Sequence, residues 1–225
     1  MPSSNFGTSV VPMRILLVDD HPLVREGLAA RIEAQPDLEV CGEVGTIQGA
    51  LAAFQESLPD LTIVDIQLED GNGIDLIKDI HCRAPHARML VVSAFDETLY
   101  AERALRAGAL GYINKRELQD KVLEAIRTVL NGERYLSGKM TQHLLSQAVN
   151  QKGSPAADPV ERLSDRELEV FQMIGNGMTT AAIAHQLHLS VHTIDTHREK
   201  LRHKLGVKNG AELMKLAVQW VLENG

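Results

Sequence analysis

At 225 residues, with 44% hydrophobic and 24% charged side chains, the chain has the composition of an ordinary soluble protein with room for two cores. No apolar run reaches the length of a membrane span, the N-terminus lacks a signal-peptide core, and Cys41 and Cys82 form no CxxC pair; membrane-spanning, secreted and disulfide-built classes are set aside and a cytoplasmic location is expected. The net charge of −7 would argue against nucleic acid if it were spread evenly, but residues 1–150 carry 14 Lys+Arg against 21 Asp+Glu, whereas residues 151–225 carry 9 of each.

Residues 1–12 are expected to form a flexible tail. From there to Asn131 the pattern is strand then helix, five times over. Apolar runs lie at Ile15–Val18, Leu38–Val44, Leu61–Val64, Met89–Val92 and Ala109–Ile113, and helical stretches at Leu23–Ala34, Ile47–Ser57, Ile74–Cys82, Thr98–Ala107 and Leu118–Asn131. This alternation predicts a doubly wound five-stranded parallel α/β sheet of flavodoxin-like type. In such a sheet ligands meet the carboxyl ends of the strands. Those ends are Asp19 and Asp20 after the first strand, Asp65 after the third, Ser93 after the fourth and Lys115 after the fifth. Three carboxylates at one edge repel each other unless a cation lies among them, and oxygen-only ligands favour Mg²⁺. With a hydroxyl and an ammonium beside them, the set suits phosphoryl transfer to Asp65.

The motifs LLVDDHPLVREGL, LTIVDIQLEDGNGIDLI, MLVVSAF and ALGYINK resemble the receiver domain of two-component response regulators. The resemblance implies that Asp65 is the phosphoacceptor. Asp20 then ligates Mg²⁺ directly, Asp19 acts largely through water, and the Gln67 main-chain carbonyl is a further ligand. Ser93 and Lys115 match the switch hydroxyl and the phosphate-binding lysine, and Tyr112 the switch aromatic. The family usually has Pro after the Met or Leu that follows the acceptor, whereas this chain has Glu69 and Asp70, which add negative charge to the loop.

Tyr135 to Val149 reads as one more helix, and Gln151 to Val160, with Pro155 and Pro159, as a linker. The organisation expected is a tail over 1–12, a receiver over 13–132, a helix and linker over 133–160, and a small all-α domain over 161–225. In that last domain Ser164 and Glu167 have capping-box spacing ahead of Leu168, Phe171, Met173 and Ile174. Thr179 and Ser190 are positioned to cap two further helices, joined by a tight turn as in a helix-turn-helix, and Asn209 to Leu222 forms the last helix. A basic run, Arg198, Lys200, Arg202, Lys204 and Lys208, lies on the outward side of the second of these.

The segment from Arg162 to Val218 resembles the LuxR-type output domain, and the whole chain a NarL/FixJ-type response regulator. By that resemblance Ser190 to Leu205 is the recognition helix, with Thr193, Asp195, Thr196 and Glu199 near base edges. Phosphate contacts fall to His197, Arg198, Lys200, Arg202, Lys204 and Lys208, with Thr179 also at the interface. Leu213, Leu216, Ala217 and Trp220 match the family's dimerisation face. The implied protein is a transcription regulator rather than an enzyme, with at most Mg²⁺-dependent self-phosphorylation and dephosphorylation. Its expected partners are a histidine kinase, an inverted repeat of double-stranded DNA and, when active, a second copy of itself, with no membrane. Two rivals are a receiver that only dimerises, and a dehalogenase-like phosphatase. The second expects DxDxT, where this chain has Asp65, Gln67 and Glu69.

Overall fold

The computed structural model describes residues 11–95, 97–150, 159–187 and 189–224. Most of the expected tail and linker therefore lie outside the described residues.

Five parallel strands form one sheet in the order β2-β1-β3-β6-β7: β1 (Met13–Val18), β2 (Leu38–Val44), β3 (Leu61–Val64), β6 (Met89–Ser93) and β7 (Gly111–Asn114). Alternate side chains enter opposite layers, which is why the central runs are mostly apolar, whereas β2 at the edge exposes Glu39 and Glu43. Ile15, Leu17, Ile63, Leu90 and Val92 pack with α1 (Pro22–Glu33) and α5 (Leu118–Leu130). Leu16, Val18, Val64, Met89 and Val91 pack with α2 (Ile47–Ser57), α3 (Gly73–Arg83) and α4 (Glu97–Ala107). The order of connection reverses between β1 and β3, opening a crevice at their carboxyl ends.

Two segments differ from expectation. The loop after β3 folds as a small antiparallel hairpin of β4 (Gln67–Leu68) and β5 (Gly71–Asn72). Tyr135 does not begin a helix. Its backbone pairs with Leu110 and Tyr112, protecting the free edge of β7, and α6 starts only at Gly138 and runs to Asn150. The last strand accordingly begins at Gly111 rather than Ala109.

The C-terminal part is all helical: a 3-10 turn at Pro159–Arg162, then α7 (Asp165–Gly175), α8 (Thr180–Gln186), α9 (Val191–Leu205) and α10 (Gly210–Asn224). The capping box of Ser164 and Glu167 opens α7, and Gly206, at φ 69°, closes α9 in the left-handed region that glycine favours. Phe171 packs on Trp220 with ring centroids 5.7 Å apart, joining α7 to α10. Among the described residues no helix is long and apolar enough to cross a membrane.

Candidate functional site: an acidic nest and a helix-turn-helix

The Asp65 amide donates to the Val18 carbonyl at 2.8 Å, and the Asp19 amide to the Val44 carbonyl at 3.0 Å, so sheet hydrogen bonding brings both acids to the crevice. Both are 3% exposed. Lys115, delivered by the end of β7, places Nζ 2.7 Å from Asp65 Oδ2 and 2.7 Å from Asp19 Oδ2. Burial pushes the Asp65 carboxyl up to about 6; the Lys115 ammonium opposes that rise and the Asp19 charge adds to it. Burial also works against the charge on Lys115, but the two carboxylates outweigh it and hold the ammonium above its ordinary pKa. The Gln67 amide donates to the Asp65 side chain. Gly73 is required here because a Cβ would lie 2.0 Å from the Asp65 carbonyl oxygen.

Asp19, Asp20, His21 and Asp65 each offer one ligand atom, all within 4.8 Å of one another. The Asp20 Oδ1 atom is enclosed and faces His21 Nδ1 at 2.5 Å. The carboxylate-rich donor set fits a hard divalent cation.

Of the two departures in the loop, Asp70 is engaged away from the nest. Asp70 accepts from the amides of Ile47 at 2.6 Å and Gln48 at 3.3 Å, so it serves the N-terminus of α2, and Glu69 is exposed. Ser93 is fully buried and its Oγ accepts from the Phe95 amide at 3.3 Å. The Tyr112 hydroxyl, turned inward, donates to the Phe95 carbonyl at 2.9 Å, and the Phe95 ring stacks on Tyr100 with centroids 4.9 Å apart. The two switch residues thus grip the same loop.

In the second half, Ser190 Oγ accepts from the Thr193 amide at 3.0 Å, and Thr179 Oγ1 from the Ala182 amide at 3.2 Å, so both cap helices as their positions predict. The outer face of α9 is open: His192, Asp195, Thr196, Glu199, Lys200 and His203 are exposed, and so is Lys208 beyond its end, while Thr193, Arg198 and Arg202 flank that face half-buried. Thr196 donates its hydroxyl to the His192 carbonyl at 3.0 Å. His197 is half-buried, and burial, aided by Arg166 and Lys200, holds it below its ordinary pKa. Lys204 is exposed as well and pairs with Glu167 at 2.6 Å.

Two family models match the chain, the response regulator receiver domain over residues 15–127 and the bacterial regulatory proteins of the luxR family over residues 161–217. The oxygen regulatory protein NreC of Staphylococcus aureus is 35% identical over 214 residues, covering 92% of this chain and 97% of that protein. The chain belongs to the NarL/FixJ-type response regulators. Among solved structures, a LuxR-family response regulator from Aurantimonas sp. SI85-9A1 is similar with a TM-score of 0.58 and 33% identity, covering 61% of this chain and 99% of that one. The RcsB response regulator of Salmonella typhimurium shares the fold, at a TM-score of 0.67 and 23% identity over 93% of this chain and 98% of that one. Members of this family are typically non-enzymatic, DNA-binding transcription regulators.

Within this response regulator three of the four residues assigned to a dimer face lie in the core. Leu213 and Ala217 are fully buried and Trp220 is 7% exposed, all in the core under α10, because α7 needs an apolar cover; Leu216 is half-buried. The exposed apolar residues of α10 are Met214, Val218 and Leu222, four apart on one stripe.

Helix α7 is shared between the two halves. Asp165 receives Lys78 at 2.8 Å and Arg103 at 2.9 Å, and Arg103 reaches the Leu163 carbonyl at 2.7 Å. Tyr100 donates to Gln172 at 2.8 Å. Glu169, 3% exposed, pairs with Arg166 at 2.7 Å and lies beside the Asn72 amide of the acceptor loop; burial still pushes its carboxyl above the ordinary value. The signal that could have exposed this docking is two polar residues, Glu169 and Gln172, among the apolar positions of α7.

Proposed function

We propose that Asp65 accepts a phosphoryl group from a histidine kinase and that this controls how α9 engages double-stranded DNA. The observation that carries the reading is the convergence of Asp19, Asp65 and Lys115 at the crevice, with both carboxylates held 2.7 Å from one ammonium. A carboxylate oxygen of Asp65 attacks phosphorus, the bond from phosphorus to the kinase imidazole breaks, and an acyl phosphate forms. Lys115 then exchanges its Asp65 oxygen for a phosphate oxygen, and the Ser93 hydroxyl donates to another. Asp19, Asp20, Asp65 and the Gln67 carbonyl would hold Mg²⁺, which when bound supplies positive charge to the phosphoryl oxygens. Self-phosphorylation from a small phosphodonor and slow self-dephosphorylation are the only chemistry assigned to the chain.

When Ser93 turns to the phosphate it leaves the Phe95 amide, and the loop shared with Tyr112 must move. That loop stacks on Tyr100, whose hydroxyl holds Gln172 of the output domain. The docked arrangement leaves the reading face of α9 open, so what docking restrains is the orientation of the output domain and its pairing with a second copy rather than access to the groove. Base contacts fall to Thr193, Asp195, Thr196 and Glu199, and phosphate contacts to His197, Arg198, Lys200, Arg202 and Lys208. Lys204 is assigned a structural role through Glu167. Pairing on an inverted repeat would use the Met214–Val218–Leu222 stripe. A cytoplasmic location follows from the partners proposed.

The reading is tested by treating the purified chain with acetyl phosphate and Mg²⁺ and resolving it on a phosphate-affinity gel. A shifted band is expected for the wild type and none for Asp65→Ala; a shift that survives in Asp65→Ala overturns the site.

A further inference from the structure

We infer that Asp195 and Glu199 make α9 a reader of cytosine: their carboxylates accept from the N4 amino groups of two cytosines in each operator half-site. The inference rests on reading α9 as the helix that enters the major groove, and adds to it the base that the helix selects. Ile194 and Leu201 are buried, which fixes the inner side of α9. At about 100° per residue, the side directly opposite holds His192, Asp195, Thr196, Glu199 and His203, all exposed. No lysine or arginine stands on that stripe. Arg198, Lys200 and Arg202 lie to either side of it, where the phosphate walls of a groove would be.

The middle of the stripe offers acceptors. Among the described residues neither carboxylate is engaged by a hydrogen bond or an ion pair. The Thr196 hydroxyl gives its proton to the His192 carbonyl at 3.0 Å, so outward it can only accept. Acceptors need donors, and the major-groove edges of the four bases carry only two, cytosine N4 and adenine N6. Guanine and thymine present acceptors, which a carboxylate repels. Adenine sets the acceptor N7 beside N6, so a carboxylate meets one favourable and one unfavourable group. Cytosine alone offers a donor with no acceptor on the same edge. Residues four apart on a helix are separated by about 6 Å along its axis, and stacked base pairs by about 3.4 Å, so the two cytosines stand about two steps apart.

The experiment selects duplexes from a pool with a randomised core, using the full chain treated with acetyl phosphate and Mg²⁺. Wild type, Asp195→Asn, Glu199→Gln and Lys200→Ala are compared, and anisotropy titrations then give the affinities. Wild type is expected to enrich two cytosines per half-site and to lose about tenfold in affinity when either is replaced. Asp195→Asn and Glu199→Gln should each shift one of those positions toward adenine, which a side-chain amide pairs with at N6 and N7, and leave the other as it was. Lys200→Ala should weaken every duplex alike. Any base but cytosine enriched by the wild type at the positions that Asp195→Asn and Glu199→Gln alter, or a preference that follows Lys200 instead, would overturn the inference. So would a rise in affinity for all duplexes with no change of preference, since the carboxylates would then only repel phosphates. A wild type that enriches no sequence and binds no duplex would instead sink the reading of α9 on which this rests.

Discussion

Asp65, Asp19 and Lys115 form a buried triad in which one ammonium answers two carboxylates. Removing the cation leaves both acids uncompensated in a site that is nearly closed to water. Lys115→Met is therefore expected to lower stability by roughly 2–3 kcal/mol in metal-free buffer, and adding Asp65→Asn should restore part of the loss. Urea unfolding of the two single variants and the double variant checks this, and simple additivity would contradict it. Asp70 acts at a different place. Its carboxylate serves the first two amides of α2, so Asp70→Ala should cost about 1 kcal/mol while leaving the acetyl phosphate reaction at Asp65 unchanged. A marked change in that reaction would mean the extra loop charge does reach the nest. From the sequence Asp70 reads as a charge near the phosphate. Only the β4–β5 hairpin, hidden in a run of acids and glycine, turns it toward α2.

The five-stranded sheet was legible because strands buried on both faces leave continuous apolar runs, and the acids, Ser93 and Lys115 stand at the ends of those runs. What sequence could not supply was which polar residues face another element. Lys78, Tyr100 and Arg103 lie on amphipathic helices where solvent and a docked domain leave the same pattern. The same limit applies to the face of α10: Leu213, Ala217 and Trp220 are apolar at helical spacing, which suits a core as well as a dimer. The contact of α7 with α3 and α4 carries two acids of opposite behaviour. Burial raises the pKa of Asp165, but hydrogen bonds from Lys78 and Arg103 outweigh it and hold the group below its ordinary 3.8. Its contribution to stability is present above that value and is lost as pH falls through the lowered pKa. For Glu169 burial wins over Arg166, and the pKa lies above the ordinary 4.5. Its contribution is present below 4.5 and is lost as pH rises through the raised pKa. At neutral pH, Asp165→Asn should destabilise the docked protein by about 1 kcal/mol, and Glu169→Gln should be neutral or stabilising. Urea unfolding at neutral pH ranks them, and the reverse order would contradict the assignment.

Across the whole molecule, phosphorylation and docking pull on the same loop. The chain of contacts from Tyr112 through Phe95 and Tyr100 ends on Gln172, while Asp165 is tied to Lys78 and Arg103. Cutting the tie should imitate the signal. Arg103→Ala with Lys78→Ala is expected to raise affinity for operator DNA without phosphorylation, toward that of the phosphorylated wild type, and a fluorescence-anisotropy titration reads it. Because the α9 face is open in the docked form, binding to a single half-site should change little in the same variant; a large gain there would point to occlusion of the helix instead. The most direct measurement is the affinity of the full chain for an inverted-repeat operator, with and without acetyl phosphate and Mg²⁺, in wild type and Asp65→Ala. Affinity should rise on phosphorylation in the wild type and stay at the unphosphorylated level in Asp65→Ala; an equal rise in both, or in neither, would contradict control through Asp65.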